Sequence, residues 1–270
     1  MKIPFVKMHG NGNDFVIIDD INQRINKQKN IIKKITHRRT GVGCDQLIFM
    51  EKSSTCDIFM RIYNSDGTEA EMCGNAARCI ASLLMAGEKK DNLTIETASC
   101  ILKARLEKNN EIQISMNLPK QDLNGIVYNG YKSIINLESI HPCLNQGYVI
   151  NMGNPHIVFF TKSLDLIDLK QVGHDIETYK AFKKGVNIEV AQITSKSSLS
   201  LKFWERGAGE TLSCGSGILA ACFASFKNKQ CSNSIKVALP IGSVSVNINN
   251  AQISITGKAE VSYLGEYHYA

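Results

Sequence analysis

Two cysteine-glycine pairs carry the clearest chemical signal in this sequence, and each stands directly before an almost unbroken apolar segment. The pairs are Cys73-Gly74 and Cys214-Gly215. An apolar segment of this kind predicts a helix that is buried on every side. Each cysteine is therefore expected at a helix N-terminus, where backbone N–H groups and the helix dipole favour a negative charge. A thiol in that position ionises more readily, and the glycine lets an anion such as a carboxylate reach the N–H groups.

The remaining cysteines are interpreted as small packing residues. Cys79 and Cys222 fall inside the two apolar segments, and Cys44, close to Gln46, is either a packing residue or a site of oxidation. There is no C-x-x-C pair, so we expect no metal site of the zinc type. The total of nine cysteines is odd and lacks the spacing of a disulfide framework, which predicts reduced thiols and a cytoplasmic location.

Weak internal repeats relate the two halves of the chain. Three pairs of short segments recur in the same order, 141–144 residues apart. They are Gly10-Asn11 with Gly153-Asn154, Gly41-Val42 with Gly185-Val186, and Cys73-Gly74 with Cys214-Gly215. Because chance would rarely keep both order and spacing, we infer a duplication. A duplication predicts two similar domains related by a pseudo-twofold axis, with the two cysteines facing each other across a cleft.

Short apolar or alternating segments in both halves predict many short strands. Asn109-Asn110 and Asn249-Asn250 predict hairpin turns at equivalent places. The two apolar helices are expected to be enclosed by the strands, and Gly87 is expected to end the first of them. More amphipathic helices are predicted on the outside, over Ile31–Thr36 and Asp165–His174.

A thiolate and a thiol on opposite sides of one carbon centre can invert it. One sulfur removes the α-proton, and the other delivers a proton to the opposite face. The pair shares a single proton at rest and should titrate as a unit. The two helix N-termini can stabilise the charge that develops on the α-carboxylate. We expect no cofactor, since the sequence has no Walker-A loop, no G-x-G-x-x-G after a strand and no lysine in a context typical of a pyridoxal Schiff base.

The composition excludes several classes of protein. Of the 270 residues, 43% are hydrophobic and 21% charged, which is typical of a globular protein. The net charge of +6 comes from scattered lysines without an aromatic or arginine cluster, so nucleic-acid binding is not expected. No apolar run of about 18 residues is present, which argues against a membrane-spanning helix. The first residues lack the pattern of a signal peptide.

The motifs around these residues resemble those of diaminopimelate epimerases over nearly the full length. They are K-M-H-G-N-G-N-D-F-V-I-I-D at 7–19, R-T-G-V-G-C-D-Q at 39–46, Y-N-S-D-G-T-E-A-E-M-C-G-N-A-A-R-C at 63–79, M-G-N-P-H at 152–156, G-V-N at 185–187 and W-E-R-G-A-G-E-T-L-S-C-G-S-G at 204–217. The resemblance implies cofactor-independent conversion of LL-2,6-diaminopimelate to the meso form, in lysine and peptidoglycan precursor synthesis, by a protein that is often a homodimer.

The expected fold class is α+β, with two pseudo-symmetric domains that are each a mostly antiparallel β-barrel-like sheet around a central helix. The expected boundaries are 1–118, joined by a returning segment at 262–270, for the N-terminal epimerase domain and 119–261 for the C-terminal one.

The resemblance also implies roles for individual residues. Cys73 and Cys214 are the expected base and acid, with Cys73 taking the proton from the L centre and Cys214 from the D centre. His156 is a possible supporting residue, with a structural role equally open. The expected substrate-binding residues are Asn11, Gln46, Asn64, Gly74, Asn75, Asn154, Asn187, Glu205, Arg206, Gly215 and Ser216.

Those residue types suit a substrate with two carboxylates and two ammonium groups. Arg206 can hold the distal carboxylate in a bidentate pair, and Glu205 can pair with an ammonium group. The amides supply donors and acceptors without adding charge. Two positions depart from the family pattern: Ala76 stands where glycine is usual, and Ser216 where threonine is common. Neither change removes a backbone N–H group, so we expect activity to survive.

Three other functions remain open at this point. A proline or hydroxyproline racemase has a similar fold and two cysteines, but its substrate offers no distal partner for Asn64, Glu205 and Arg206. A hydrolase with a cysteine nucleophile and His156 as base leaves the second Cys-Gly pair unexplained. A binding module for a small anion would use only the two helix N-termini.

Overall fold

The computed structural model describes residues 2–22, 25–119 and 122–268. Within these ranges the chain forms four α-helices: α1 (Lys29–Thr36), α2 (Gly74–Glu88), α3 (Leu169–Glu177) and α4 (Gly215–Lys227). The described strands are β1 (Lys2–Gly10), β2 (Asn13–Asp19), β3 (Gln46–Glu51), β4 (Ile58–Asn64), β5 (Glu69–Ala70), β6 (Asn92–Glu96), β7 (Ile101–Leu106), β8 (Ile112–Asn117), β9 (Ile134–Ile135), β10 (Gly147–Asn151), β11 (Pro155–Thr161), β12 (Asn187–Ser195), β13 (Ser198–Glu205), β14 (Gly209–Thr211), β15 (Ser234–Ala238), β16 (Ser243–Ile248), β17 (Gln252–Gly257) and β18 (Glu260–His268).

The chain divides into two compact units. Unit 1 comprises the residues up to Met116 together with those from Thr256 onward, and unit 2 is Asn117–Ile255. The expected epimerase domains, with boundaries after 118 and after 261, stay a prediction. No helix in the described ranges is both long and apolar enough to cross a membrane.

The two units repeat the same strand pairings in the same order. In unit 1, β1 pairs antiparallel with β2, β2 parallel with β3, β3 antiparallel with β4, β4 parallel with β6, and β6 antiparallel with β7. In unit 2, β10 to β13, β15 and β16 pair in the same succession and with the same directions. The parallel pairs β2–β3 and β11–β12 are bridged by α1 and α3, as parallel strands require a crossover. This repeated, mostly antiparallel topology confirms the α+β fold class.

A central helix packs against the strands of each unit. Helix α2 contacts β1, β2, β6 and β7, and α4 contacts β10 to β13 and β16. Residues 74–81 of α2 and 215–222 of α4 are all buried, as predicted. Residues 86–88, at the end of α2, are exposed. The buried ends of both helices are thus the ends that carry the Cys-Gly pairs.

Two predicted helix boundaries are wrong. Helix α2 continues past Gly87 to Glu88, and Lys89 adopts the left-handed conformation with φ of 53°. The helix predicted over Asp165–His174 is a short 3-10 turn at Leu164–Leu166 followed by α3. The interruption arises because the Asp168 carboxylate accepts a hydrogen bond from the N–H of Lys170 at 3.0 Å, which starts a new helix at Leu169.

The predicted turns after β7 and β16 are confirmed. Asn109 and Asn110 have φ of 64° and 58°, a conformation that asparagine tolerates. The Asn249 side chain accepts hydrogen bonds from Ala251 N and Gln252 N at 2.9 and 2.7 Å.

Two long strands, β1 and β18, lie outside the segments predicted as strands, the first of which begins at Phe15 and the last of which ends at Thr256. They pair antiparallel along nearly their whole length, with an irregularity between Lys7 and Met8. Strand β18 leaves several apolar side chains exposed, with Val261 53% and Leu264 73% exposed. Unit 1 therefore depends on a strand from the far end of the chain.

Candidate active site

Cys73 lies at the N-cap of α2, as predicted. Its backbone is extended, with φ of −144° and ψ of 112°, and its carbonyl accepts the first helical hydrogen bond from Ala77 N at 3.0 Å. The side chain is buried. Its sulfur lies 3.8 Å from Asn13 Oδ1, to which the thiol can donate. The N–H groups of the next residues begin the helix and have no acceptor within it, so Gly74 can offer its N–H to an anion.

Asparagines surround Cys73, and a buried arginine connects them. Asn75 donates from Nδ2 to Asn13 Oδ1 at 3.3 Å. Arg78 donates from one nitrogen, Nη2, to Asn11 Oδ1 at 2.8 Å and to Asn75 Oδ1 at 2.9 Å. The contacts therefore join Asn11 and Asn75, both predicted, to Cys73. Asn11 itself has φ of 55° in the β1–β2 turn, which brings its side chain back over α2.

An ion network behind Asn13 holds that residue in place. Asn13 donates to Asp45 Oδ2 at 2.9 Å. Arg38 bridges Asp14 and Asp45 at 2.7 and 2.6 Å, and Lys7 binds Asp14 at 2.5 Å. Although burial opposes it, hydrogen bonds from Arg38 and Lys7 lower the pKa of Asp14 to about 2. Burial and the charge of Asp14 raise the pKa of Asp45.

Gln46 and Asn64 form a separate amide pair at the ends of β3 and β4. They are register partners, and Gln46 donates from Nε2 to Asn64 Oδ1 at 3.0 Å. Asn64 in turn donates to Thr68 Oγ1 at 3.2 Å. In the parallel pair β2–β3, Gln46 is the register partner of Phe15. The first residue of β3 therefore lies beside the beginning of β2. Both amides are thus oriented by neighbouring strands.

Cys214 lies at the equivalent N-cap of α4 but has different partners. Its sulfur accepts from Gly217 N at 3.4 Å and lies 3.5 Å from Ser216 Oγ. Burial raises the pKa of the Cys214 thiol well above its ordinary range, and the charges of Glu205 and Glu189 raise it further. The hydrogen bonds from Ser216 and Gly217 lower this pKa only in part.

A chain of buried polar groups leads away from Ser216. Asn154 donates to Ser216 Oγ at 3.2 Å, and its Oδ1 lies 3.0 Å from His156 Nε2. His156 Nδ1 lies 2.8 Å from Glu189 Oε1, and both of these side chains are buried. Each ring nitrogen of His156 faces an oxygen atom, so the ring is held in place from both sides. Gly217 leaves room for this pair, since a Cβ there would lie 2.2 Å from Glu189 Oε1.

Asn187, Glu205 and Arg206 form a second group in unit 2. Asn187 donates to the Pro155 carbonyl at 2.8 Å and accepts from Arg206 N at 2.9 Å. Glu205 accepts from Thr211 Oγ1 at 2.6 Å. Arg206 and Glu205 are partly exposed at the end of β13. Their charged groups can thus meet a charged ligand.

The structure connects the predicted residues into small groups within each unit. It also adds three residues that sequence reasoning missed: Asn13, Arg78 and Glu189. Asn13 stands in the same motif as Asn11, and Arg78 is the one charged residue in the mostly apolar first part of α2, which is a signal that the sequence offers. Glu189 follows the G-V-N motif in a buried strand, where a carboxylate is unusual.

The packing cysteines inside the helices are buried, and burial acts on their pKa as it does on that of Cys214. Burial raises the pKa of Cys79 to about 12 and that of Cys222 well above its ordinary value. Burial likewise raises the pKa of Cys44 to about 12. In the described part of the chain, no group of three or more His, Cys, Asp and Glu side chains could hold a metal ion.

Comparison with known proteins agrees with this geometry. The family model for diaminopimelate epimerase matches residues 5–120 and 148–262. A diaminopimelate epimerase from Carboxydothermus hydrogenoformans is 38% identical over 97% of this chain and 98% of its own. Among solved structures, a predicted epimerase from Pseudomonas aeruginosa is similar in fold, with a TM-score of 0.73, 11% identity and coverage of 99% and 100% of the two chains.

A hydroxyproline epimerase from Agrobacterium vitis has a similar fold, with a TM-score of 0.70 and 12% identity over 98% of this chain and 92% of its own. Similarity at that identity shows the fold alone. The family model covers both halves of the chain, including both Cys-Gly pairs. The chain therefore belongs to the diaminopimelate epimerase family of isomerases.

Proposed function

We propose that this isomerase converts LL-2,6-diaminopimelate to meso-diaminopimelate without a cofactor, using Cys73 and Cys214 as acid and base. One observation carries the proposal: a buried cysteine occupies the N-cap of the central helix in each of two units with the same strand pairings. A single acid–base thiol would explain one such position. Two equivalent thiols match a reaction that needs one group for each face of a carbon centre.

The reaction is a proton transfer at one α-carbon. The Cys73 thiolate takes the α-proton from the L centre, and the electron pair of the broken C–H bond moves into the carboxylate. The Cys214 thiol then donates its proton to the opposite face and becomes the thiolate. In the reverse direction the two sulfurs exchange roles. N–H groups at both helix N-termini, from Gly74, Asn75, Gly215 and Ser216, stabilise the charge on the reacting carboxylate.

The remaining polar residues are assigned to substrate recognition. Arg206 binds the distal carboxylate, and Glu205 binds an ammonium group. Asn11, Gln46, Asn64, Asn154 and Asn187 are amides that other side chains or the backbone already orient. His156 supports the site by fixing Asn154, which in turn donates to Ser216. An orienting role of this kind suits a histidine that is fully buried.

Exchange in deuterated water tests the proposal. The reduced protein is incubated with each isomer of diaminopimelate and, separately, with L-proline and trans-4-hydroxy-L-proline. We expect deuterium at one α-carbon of diaminopimelate and a mixture of LL and meso isomers, without added cofactor or metal. Exchange with the proline substrates alone would assign the racemase function instead, and no exchange with any substrate would reject the proposal.

We propose in addition that the enzyme is a homodimer that acts in the cytoplasm, in lysine and peptidoglycan precursor synthesis. The exposed apolar residues Val261, Tyr263 and Leu264 on β18 support a subunit contact. All nine cysteines are free thiols, which supports a reducing compartment. Sedimentation of the wild type and of Leu264→Lys tests the contact: we expect a dimer that the charged variant weakens, and a wild-type monomer would contradict it.

A further inference from the structure

We propose that Glu177 is a positioning residue that presents Arg206 to the distal carboxylate of the substrate. It does this from the end of α3, by holding the turn that follows β13. The inference rests on the proposed function, which assigns Arg206 to that carboxylate, and it adds the group that fixes the place of Arg206 before the substrate arrives.

Glu177 stands at a place where a helix disfavours a carboxylate. It is the last residue of α3, and the helix dipole disfavours a negative charge near a C-terminus. A glutamate here therefore gains nothing from the dipole of its own helix. Its side chain is partly buried and accepts two hydrogen bonds from groups outside α3. These contacts, rather than the helix, account for the carboxylate.

The two oxygens of the Glu177 carboxylate accept from two points of one hairpin. Oε2 accepts from the indole Nε1 of Trp204 at 2.7 Å, and Oε1 accepts from the backbone N–H of Gly207 at 3.0 Å. Trp204 belongs to β13, and Gly207 lies in the turn between β13 and β14. Glu205 and Arg206 lie between these two donors in the chain. One carboxylate therefore holds the backbone on both sides of Arg206, with hydrogen bonds of the stronger, charge-assisted kind.

The indole ring is held by the same helix. A Cβ at Gly173 would lie 2.3 Å from Cδ2 of Trp204, so the ring packs directly against the backbone of α3. Gly173 and Glu177 are four residues apart, and residues at that spacing share one face of a helix. This face of α3 thus receives the ring at one turn and its N–H group at the next.

The side chains of Glu177 and Arg206 meet beside Gly185. This glycine has φ of 76°, and a Cβ there would lie 3.3 Å from Cγ and Cδ of Arg206 and 3.4 Å from Cγ of Glu177. The glycine of the G-V-N motif therefore leaves room for both side chains. Arg206 has two further contacts here, because its N–H donates to Asn187 Oδ1 at 2.9 Å and its Nη1 to the Lys184 carbonyl at 3.4 Å.

The turn that carries Arg206 needs such support. Gly207 and Gly209 have φ of 75° and 89°, and glycine has more backbone freedom to lose than any other residue. Gly207 is also exposed. An arginine that is already held in place loses less conformational entropy when it pairs with a ligand carboxylate. By fixing the turn, Glu177 lowers the cost of binding at Arg206.

Hydrogen exchange of the Gly207 amide, measured by NMR, tests the hold on the turn without any substrate. We expect exchange in Glu177→Ala to be about 10-fold faster than in the wild type, because the N–H loses a charged acceptor. Asp175→Ala is the matched control, since it removes an exposed carboxylate from the same helix, and it should leave the exchange rate unchanged. Equal rates in Glu177→Ala and the wild type would overturn the inference.

Steady-state kinetics with diaminopimelate test the effect on substrate binding. We expect Glu177→Ala to raise KM about 10-fold and to change kcat little, because the distal carboxylate is bound away from the carbon that exchanges its proton. Asp175→Ala should keep both constants. A lower kcat with an unchanged KM would place the effect at the reacting carbon and would contradict a role through Arg206.

Two further variants test whether Glu177 acts through both of its donors. Glu177→Gln keeps one acceptor oxygen but turns an NH₂ group toward the other donor, so KM should rise less than in Glu177→Ala. Trp204→Phe keeps a ring against α3 and removes one donor. In that background the Gln change should raise KM by a smaller factor than in the wild type, and equal factors would contradict the two-sided hold.

The conservative variant also decides the case in which Glu177→Ala does not fold. A wild-type KM together with a wild-type exchange rate in Glu177→Gln would then overturn the inference. The outcomes are separable from the proposed function: a wild-type protein that turns over no isomer of diaminopimelate rejects that function, whereas the exchange rate of the Gly207 amide still tests the hold on the turn.

Discussion

The N-termini of α2 and α4 have the same backbone conformation and different side-chain surroundings. Both begin with an extended cysteine followed by glycine, in units with the same strand pairings. The asparagines near Cys73 are held by the buried guanidinium of Arg78. Near Cys214, the polar groups that begin at Ser216 lead to the buried pair of His156 and Glu189. The two units thus share their strand pairings, while the side chains around the two cysteines differ. A symmetric fold can in this way give two chemically distinct thiols.

Removing either sulfur should have the largest effect. We expect Cys73→Ala and Cys214→Ala each to reduce epimerisation by about 10²–10⁴-fold or more, because each removes one of the two proton-transfer groups. Release and incorporation of α-deuterium measure the loss. Cys79→Ala and Cys222→Ala are matched controls in the same helices, and an equal loss in either would contradict the separation of acid–base from packing thiols.

Mild oxidation tests whether both sulfurs serve one carbon centre. Groups that act on the same α-carbon must come close together, so we expect oxidation to link Cys73 to Cys214 and to abolish activity until a reductant is added. Peptide mapping under non-reducing conditions identifies the bond. Full activity after both thiols have been blocked would reject the shared role.

The buried pair in unit 2 should contribute mainly to stability. We expect Glu189→Ala to lower the free energy of unfolding by about 3–5 kcal/mol, because it leaves His156 buried without its partner. Glu189→Gln keeps a hydrogen bond and should cost less. Fluorescence of Trp204, the single tryptophan and a residue of unit 2, follows unfolding in urea. The exposed Glu138→Ala is the control, and equal stability of the two alanine variants would contradict the prediction.

Removing Asp14 from the ion network of unit 1 should have the smallest effect on stability, and this effect should depend on pH in the acidic range. The pKa of Asp14 is about 2, below that of an unfolded aspartate at about 3.9. Its contribution is therefore complete above about pH 4 and is lost as the pH falls toward 2. The raised pKa of Asp45 offsets part of this contribution. We therefore expect Asp14 to add about 1–2 kcal/mol to the free energy of unfolding above about pH 4.

Circular dichroism from pH 5 to 2 compares Asp14→Asn with the wild type. The variant should be less stable at pH 5 and should lose less stability on acidification. Trp204 fluorescence reports unit 2 in the same samples and should change little between the two proteins. Identical acid profiles in circular dichroism would show that Asp14 does not contribute.

The repeat and the cysteine positions could be predicted because they depend on local patterns. Cys-Gly before an apolar segment predicts a helix N-terminus, and the order of the repeated segments predicted the duplicated topology. The pattern does not predict strand β1, because Pro4 and Lys7 interrupt its apolar residues, nor strand β18, because few of its side chains are buried. The end of α2 was missed because Lys89, not a glycine, takes the left-handed conformation.

The groups that support the site depend on contacts between distant parts of the chain. Asn13 donates a hydrogen bond to Asp45, 32 positions along the chain, and Glu189 contacts His156 on a neighbouring strand. Arg78 is not predicted, because an apolar segment indicates packing and does not show what its one arginine contacts, here Asn11 and Asn75. That the two cysteines face each other across a cleft stays a prediction.

The β1–β18 pair has a consequence for how the protein is made. Unit 2 is one continuous stretch, whereas the first strand of unit 1 pairs with residues near position 268. During synthesis the ribosome releases everything needed for unit 2 before β1 meets its last partner. The half that begins first is thus finished last, and until then one edge of β1 is open to other polypeptides in the cell.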